Sequence, residues 1–386
     1  MSMQGDRYVE THMAQVCKRG QSVCGDHLVV QRSPEATIVV VGDGIGSGIY
    51  ANIAAITSAN RLATLLSGGT PIQDACAMVA DSMHRAKTED VPYCAFSAAR
   101  ILKNGQYTVL SYDAPAPVLI RDGAARVAEQ RFFTLGYELV AEASGVLQEG
   151  ESLALFSDGV SQAGIGMTHA LGWGSDGVAA FLTRKLSQQM TPARLPDVVL
   201  AETERLSGGV HHDDATFVIL GCRPARVVQL MTGPPSIRQF DRPFVEGFLA
   251  ASGVRIVCGS STTDMVARIS GRPVRTLNIT ASSMAHPPEY EIEGIDLVTE
   301  GAATLNQAFN ILDEDPDLYD EASAVTRLCR MLLEADIIHF LVGGAQNPGH
   351  NTITFKQLGV QTRKTIVPML AEKLRNMGKL VTETHV

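Results

Sequence analysis

Four aspartates stand at or near the ends of apolar, strand-like runs in the N-terminal part of this chain. They are Asp26, Asp43, Asp158 and Asp213, each in a short glycine-rich or acidic context. Carboxylates are costly to bring together unless a positive charge lies between them. Four of them at the rims of buried strands therefore predict a site for hard divalent cations, with metal-activated water as the reagent.

Three of these contexts carry a family resemblance: GDGIGSG around Asp43, SDGVSQAG around Asp158 and HHDDATFVIL around Asp213. In order and in strand context they resemble the metal-binding motifs of the PP2C-type protein serine/threonine phosphatases. The leading segment, AQVCKRGQSVCGD, resembles the bacterial SpoIIE branch of that superfamily. The resemblance covers residues 6–221 and leaves the remaining two-fifths of the chain unmatched.

The resemblance implies a ligand set for two Mn²⁺ or Mg²⁺ ions. Asp43 would bridge the ions, and Gly44 would offer its backbone carbonyl. Asp158 and Asp213 would complete the shell of the second ion, while Asp26 would hold a coordinated water from the outer shell. Such ions keep several waters, so a few protein oxygens suffice. The implied reaction is hydrolysis of a phosphate monoester by water between the ions, with the aspartates at 43, 158 and 213 as catalytic residues.

The glycines around Asp43 favour a metal loop over a nucleotide loop. They stand at positions 42, 44, 46 and 48, so they never give G-x-G-x-x-G, and the chain has no GxxxxGK[ST] segment. We expect this loop to turn sharply and bring a backbone oxygen close to an ion. Many eukaryotic members of the superfamily carry His after the Asp-Gly pair, whereas Ile45 stands here, so the general acid is unassigned.

Composition restricts the remaining possibilities. A chain of 386 residues with 45% hydrophobic content predicts two domains, 1–225 and 226–386. A net charge of −9 argues against a nucleic-acid surface, and no apolar run approaches the ~18 to 20 residues that span a bilayer. Seven scattered cysteines without a C-x-x-C pair indicate reduced thiols and a cytoplasmic location. Partners should be proteins or small molecules.

Hydrophobic periodicity predicts an α/β fold in both domains. For the first domain it predicts an α/β/β/α sandwich of antiparallel sheets, as in the phosphatase family, with strands 8–16, 28–30, 37–41, 94–102, 107–113, 116–121, 126–128, 153–156 and 215–220. Its predicted helices are 50–66, 71–85, 177–188 and 192–207. The second domain is predicted to be a smaller, doubly wound unit with a parallel sheet, with helices 241–252, 263–269, 302–312, 322–334 and 364–376 around strands 254–258, 295–298 and 337–342.

Loops after the strands of the second domain are rich in Gly, Ser and Thr: 259–263, 299–301 and 343–348. Loops at these positions bind ligands in doubly wound folds, and backbone amides at a helix start suit an anion. The second domain is therefore predicted to be either a sensor of a small ligand or a module for docking or dimerisation. A dimerisation module would make the protein a homodimer. A transferase-like activity in this half is a third possibility.

Two neighbours of the predicted ligands have structural interpretations. His211 and His212 are expected to point to opposite faces and so not to share an ion. Asp214 is expected to be a hydrogen-bond acceptor facing away from Asp213.

The favoured function is a cytoplasmic phosphoprotein phosphatase acting on phosphoserine or phosphothreonine of a bacterial signalling partner, such as an anti-sigma-factor antagonist. The alternative is a catalytically inactive scaffold that binds a partner or ligand.

Overall fold

The chain forms two compact units, Met1–Pro224 and Ala225–Val386. The structure is a computed structural model that describes the chain except residues 1–6, 47, 90, 278–288, 320–322 and 346–358. Within the described residues no helix combines the length and apolar character needed to cross a membrane.

The first unit consists of two antiparallel sheets and five helices in its described residues. Its strands are β1 (Arg7–Val16), β2 (Asp26–Arg32), β3 (Ala36–Ile45), β4 (Tyr93–Leu102), β5 (Gln106–Tyr112), β6 (Val118–Arg121), β7 (Ala124–Val127), β8 (Arg131–Leu135), β9 (Glu138–Val146), β10 (Ser152–Phe156) and β11 (Ala215–Pro224). Its helices are α1 (Ile49–Ser67), α2 (Ile72–Thr88), α3 (Asp158–Ser161), α4 (Gly174–Ser187) and α5 (Leu195–Leu206). The sheet orders are β1-β11-β10-β6-β7 and β2-β3-β4-β5-β9-β8.

Side chains that alternate along the strands place the two sheets face to face. From β3, Val39 and Val41 join a buried cluster with Leu153 of β10 and Val218 of β11, which belong to the other sheet. The intervening residues of β3, such as Val40, pack beneath α1 and α2. Helices α4 and α5 cover the outer face of the β10 sheet in the same way. The predicted α/β/β/α sandwich is confirmed.

The turn predicted around Asp43 lies later in the chain than the sequence indicates. Strand β3 continues through Ile45, so Asp43 and Gly44 are strand residues paired with β4. The chain leaves the strand at Gly46 and Gly48, whose φ angles of 139° and 64° favour glycine. The segment 42–48 therefore turns at its later glycines, whereas Asp43 itself lies in the strand, because the hydrogen bonding of β3 extends beyond its apolar run.

The second unit is a sheet of seven strands with helices. Its strands are β12 (Val227–Thr232), β13 (Val254–Cys258), β14 (Arg275–Thr276), β15 (Glu289–Glu291), β16 (Leu297–Thr299), β17 (Ile337–Val342) and β18 (Leu380–His385), in the order β14-β15-β16-β13-β12-β17-β18. Its described helices are α6 (Asp241–Ala250), α7 (Ser260–Ser270), α8 (Ala302–Ile311), α9 (Ala324–Glu334) and α10 (Arg363–Asn376).

The predicted parallel sheet is confirmed for five neighbouring strands, which lie in the order β16-β13-β12-β17-β18. Two short antiparallel strands, β14 and β15, extend one edge, so the sheet as a whole is mixed. Sequence reasoning missed β12, which lies at the centre with Leu230 and Met231 fully buried. The predicted start of α9 at residue 322 lies outside the described residues, as do residues 346–348 of the third predicted loop.

Candidate metal centre

The aspartates at positions 26 and 43 lie opposite each other on neighbouring strands. Asp26 begins β2 and is paired with Asp43 in the antiparallel register with β3. Asp158 approaches from the other sheet, because it begins α3 directly after β10. Its backbone N–H donates to Asp43 Oδ2 at 3.4 Å, and its own Oδ2 accepts a hydrogen bond from Gln162. The fold thus brings these aspartates together where the two sheets meet.

The carboxylate of Asp26 is held by hydroxyl groups of the opposite sheet. Ser157 Oγ and Thr216 Oγ1 each donate to Asp26 Oδ2 at 2.7 Å. Gln15 Nε2 in turn donates to Thr216 Oγ1 at 2.9 Å. The second oxygen, Asp26 Oδ1, is buried and has no hydrogen-bond partner among the described residues. A buried carboxylate oxygen without a partner is unfavourable unless a water or a cation meets it.

Glycines next to the aspartates allow the backbone segments to approach closely. A Cβ at Gly44 would lie 2.1 Å from the carbonyl oxygen of Ala51 in α1. A Cβ at Gly159 would lie 2.0 Å from the backbone oxygen of Asp214, so this glycine lets the start of α3 contact the segment before β11. Any side chain at these two positions would push the carboxylate-bearing segments apart.

Burial and mutual repulsion raise the pKa values of the cluster. Burial raises the pKa of Asp43 well above its usual range, and the charges of Asp26 and Asp158 raise it further. Burial also raises the pKa of Asp26, although the hydroxyl hydrogen bonds oppose that shift. The pKa of Asp158 is raised by burial first and also by the charge of Asp213. A cluster of this kind, with an unpartnered buried oxygen, fits divalent cations, whose charge would stabilise the ionised carboxylates.

Asp213 lies at the exposed rim of this cluster. Its side chain is 52% exposed, and Lys18 Nζ lies 3.8 Å from its Oδ1. Asp214 has a different environment, because its two carboxylate oxygens accept the backbone N–H groups of Lys18 at 2.8 Å and Gly25 at 2.9 Å. Asp214 therefore anchors the segment that precedes Asp26, as a structural acceptor.

A second cluster of polar side chains lies beside this anchor. The side-chain ligand atoms of Cys17, Cys24 and Asp214 all lie within 4.8 Å of one another, and over the described part of the chain no other trio of His, Cys, Asp or Glu is as compact. Burial and the charge of Asp26 raise the pKa of the Cys24 thiol, which disfavours the thiolate that a metal would need. The predicted aspartates are more widely spread, as ligands shared between two ions should be.

A cavity of about 330 Å³ opens next to Asp213. It is lined by Gly159, Gln162, Ala163, Gly164, Ile165, Met167, Ser207, His211, His212 and Asp213. His211 and His212 precede β11, and both border this cavity. The expectation that they do not share an ion stays a prediction. His212 Nε2 lies 3.2 Å from the carbonyl oxygen of Ser207.

Sequence reasoning missed the residues that position Asp26. Ser157 directly precedes Asp158, and Thr216 follows the Asp213-Asp214 pair, so both stand inside segments that their motifs single out. Their role depends on contacts 131 and 190 residues away along the chain, which no local pattern indicates.

Comparison with known proteins gives the family of the first unit. Residues 33–223 match the family model described as stage II sporulation protein E (SpoIIE). A search of curated proteins found no match.

Several solved structures are similar to parts of the chain. The PP2C phosphatase domain of SpoIIE from Bacillus subtilis, with a fragment of its regulatory domain, is 18% identical with a TM-score of 0.49; the match covers 57% of this chain and 63% of that one. The RsbU and RsbW domains of a Mycobacterium tuberculosis protein are 18% identical with a TM-score of 0.48, over 69% of this chain and 71% of that one. RsbX in complex with magnesium is 17% identical with a TM-score of 0.41, over 56% and 99%.

The antiparallel α/β/β/α sandwich, with acidic segments from both sheets meeting at one place, defines a phosphatase fold of the PP2C class. The first unit is of the SpoIIE type, because the family model matches residues 33–223 within it. The second unit lies outside the matched residues.

Proposed function

We propose that the first unit is a metal-dependent phosphatase that hydrolyses phosphoserine or phosphothreonine on a signalling protein. The observation that carries this proposal is the meeting of Asp26, Asp43 and Asp158 from two sheets, with a buried oxygen of Asp26 unpartnered. Two Mn²⁺ or Mg²⁺ ions would be held by Asp43, Asp158, Asp213 and the carbonyl of Gly44. When bound, such ions neutralise phosphoryl oxygens and activate water.

The residues of the chain supply the positioning that this chemistry needs. Ser157 and Thr216 fix one oxygen of Asp26, which leaves Oδ1 to accept a hydrogen bond from the attacking water. The cavity beside Asp213 would give a phosphorylated side chain a place next to the carboxylate of that residue. The apolar side chains of Ile165 and Met167 border it and are 53% and 60% exposed. These contacts suit a protein substrate better than free phosphate, because apolar neighbours of the phosphorylated residue can pack there.

The proposed substrate class is a small phosphorylated regulator of the anti-sigma-factor antagonist type. It rests on the match to the SpoIIE family model and on the acidic, non-polybasic composition. For the second unit, which lies outside the matched residues, we propose separately a regulatory or interaction role.

The test is phosphate release from a phosphoserine peptide and from p-nitrophenyl phosphate by the full chain with added Mn²⁺. We expect Asp43→Asn to lower kcat by more than about 100-fold, beyond the usual effect of losing an outer-shell partner of a metal. The matched control is Asp81→Asn on α2, whose side chain is 57% exposed and pairs with Arg85. This control should keep full activity, since exposed ion pairs contribute little.

Equal turnover of the Asp43→Asn and parent proteins would refute the proposal. So would an absence of turnover by the parent protein with saturating Mn²⁺ and a panel of phosphopeptides, which would favour a catalytically inactive scaffold.

A further inference from the structure

In the second unit, the strand order reverses between β12 and β17, and the region outside the carboxyl ends of these strands is where a doubly wound sheet has its crevice. In chain order the parallel strands are β12, β13, β16, β17 and β18, and their spatial order is β16-β13-β12-β17-β18. After β12, the chain adds β13 and β16 on one side of this strand. It then crosses to the other side of β12, where β17 pairs with it. Ligands of doubly wound sheets bind at this topological switch point.

A glycine directly follows β12, β13 and β17, and Gly301 lies two residues after β16. The loops contact one another through these glycines. A Cβ at Gly343, after β17, would lie 2.2 Å from the carbonyl oxygen of Gly233, after β12. On the other side of β12, a Cβ at Gly301 would lie 3.2 Å from the Cα of Gly259. Close backbone contacts of this kind hold the loops against one another and require glycine at these positions.

The backbone amides of these loops are already satisfied. The N–H of Gly233 donates to Thr262 Oγ1 at 2.7 Å, and the N–H of Gly343 donates to the carbonyl oxygen of Thr232 at 2.9 Å. The N–H of Gly344 donates to the carbonyl oxygen of Val386 at 2.7 Å. The loops therefore hold their conformation without a ligand.

Arg363 is a charged side chain that lies against these loops. It begins α10, and its guanidinium packs on Gly233, where a Cβ would lie 1.9 Å from Nη1. Its Nη2 donates to the carbonyl oxygen of Ala345 at 2.5 Å, whereas Nε is buried without a partner. Within the described residues no carboxylate forms an ion pair with Arg363, and burial lowers its pKa. A guanidinium that is partly desolvated and not neutralised is unfavourable unless an anion binds it.

The charges around Arg363 add to this imbalance. Lys364 follows it, and the first turn of α10 contains no acidic residue and has no side-chain cap. Cations at a helix N-terminus oppose the helix dipole, so two of them there are unfavourable without an anion. The first turn of α7, which reaches the crevice through Thr262, also lacks acidic residues. The carboxylate of Glu300 lies after β16 and accepts a hydrogen bond from Tyr290, at the edge of the sheet away from β17.

We propose that this crevice binds the phosphate or carboxylate group of a small molecule, with Arg363 as its principal ligand-binding residue. The planar guanidinium offers donors in the fork geometry that such oxyanions match. The buried hydroxyl of Thr262 fixes the loop at Gly233 and so the floor of the site. Binding here is independent of phosphatase activity in the first unit, and its occupant is a candidate signal for the second unit.

The test is isothermal titration of the full chain, without divalent metal and in the Asp43→Asn background, so that the first unit contributes no anion site. The probes are inorganic phosphate, pyrophosphate and malonate. We expect at least one of them to bind, and Arg363→Gln to weaken that binding at least about tenfold, because hydrogen bonds to a charged group are lost. Arg242→Gln is the matched control, since that side chain is 70% exposed and pairs with Glu246 on α6.

The ranking of the probes identifies the ligand chemistry: tighter phosphate or pyrophosphate binding indicates a phosphorylated ligand, and tighter malonate binding indicates a carboxylate. No binding of any probe to the parent protein overturns the proposal, as does equal binding by the Arg363→Gln protein. Should Arg363→Gln fail to fold, parent crystals soaked in tungstate decide the question. Anomalous density beside Arg363 and Gly233 supports the site, and its absence there contradicts it.

Discussion

In both units, glycines let backbone segments approach closely, but the side chains beside them are negatively charged in the first unit and positively charged in the second. In the first unit, glycines such as Gly159 let backbone segments approach until carboxylates gather around Asp43. In the second unit, Gly233 and Gly343 bring loops together around the guanidinium of Arg363. The first arrangement concentrates negative charge, and we propose that it binds cations. The second holds a guanidinium without an ion-pair partner among the described residues, and we propose that it binds an anion.

The two proposed sites differ in how far the sequence alone indicates them. Repulsion among clustered carboxylates is itself the signal for a metal centre, and it is visible in the sequence as repeated Asp-Gly pairs. A single arginine gives no such signal, because its lack of a counter-charge becomes visible only when the fold shows its neighbours. Substitutions in each unit test whether the two arrangements are functionally separate, and they follow in order of decreasing effect.

The largest of these effects is expected from Ser157→Ala. Loss of this hydroxyl removes one of the two side-chain donors to Asp26 Oδ2. We expect kcat of the first unit to fall about 10- to 100-fold and the Mn²⁺ concentration for half-maximal activity to rise, as for other outer-shell partners of metal sites. Steady-state kinetics with varied Mn²⁺ measures both quantities.

Ser175→Ala is the control for that measurement. Its hydroxyl donates to the carbonyl oxygen of Ala116 at 3.0 Å and touches none of the aspartates. We expect unchanged kinetics in this variant. A Ser157→Ala protein with parental kinetics would show that Asp26 needs no support from Ser157, contrary to the role proposed for it in the first unit. Anion binding by the second unit should be the same in all these proteins.

A pair of glycine substitutions should separate the two units by stability and by function. Gly159→Ala and Gly343→Ala each place a Cβ about 2 Å from a backbone oxygen, and each should lower the free energy of unfolding by about 1–3 kcal/mol. Gly159→Ala should also reduce phosphatase activity, and Gly343→Ala should reduce anion binding alone. Denaturant titration, kinetics and calorimetry give the three readouts.

Gly247→Ala is the matched control for these substitutions. Gly247 lies in α6, and a Cβ added there would meet no other atom within 4 Å, so alanine should stabilise the protein by up to about 1 kcal/mol. If Gly159→Ala behaved like this control, the close approach of α3 to Asp214 would be refuted.

The pH dependence of stability without metal gives a further comparison. Because the folded-state pKa of Asp43 is raised, the native protein binds more protons than the unfolded chain above the ordinary carboxyl pKa of about 3.9. The free energy of unfolding contributed by this cluster should therefore fall as the pH rises from there through the raised pKa. Asp43→Asn should flatten that fall, and saturating Mn²⁺ should oppose it in the parent protein.

Thermal unfolding of both proteins in EDTA between pH 6 and 8.5 measures the effect as a difference, so that histidines common to both cancel. Identical pH profiles for the parent and Asp43→Asn proteins would mean that Asp43 is not held among like charges.

The sequence was informative where chemistry and local pattern coincide. The sandwich of the first unit and most helices were predicted, since apolar runs such as Val39 to Val41 and the helical spacing of α1 are local signals. The central strand β12 was missed because Gln229 interrupts its apolar run and a domain boundary was expected just before it. Strands β8 and β9 were missed as well, because their exposed residues give no regular alternation.

For the candidate site, the sequence indicated the aspartates but not the residues that position them. The aspartates were named from their motifs, and their role as metal ligands stays a prediction. Ser157, Thr216 and Arg363 could not be assigned roles from the sequence, because each acts through partners distant along the chain. Contacts between residues so far apart along the chain form only in the packed fold, and no local pattern in a single sequence indicates them.

Anomalous diffraction at the manganese edge, from crystals of the full chain grown with Mn²⁺, would show whether the carboxylate cluster is a metal centre. We predict two peaks within coordination distance of the carboxylate oxygens of Asp43, with Asp158 and Asp213 on the same pair of ions. A cluster without anomalous density at saturating Mn²⁺ would contradict the proposed phosphatase chemistry.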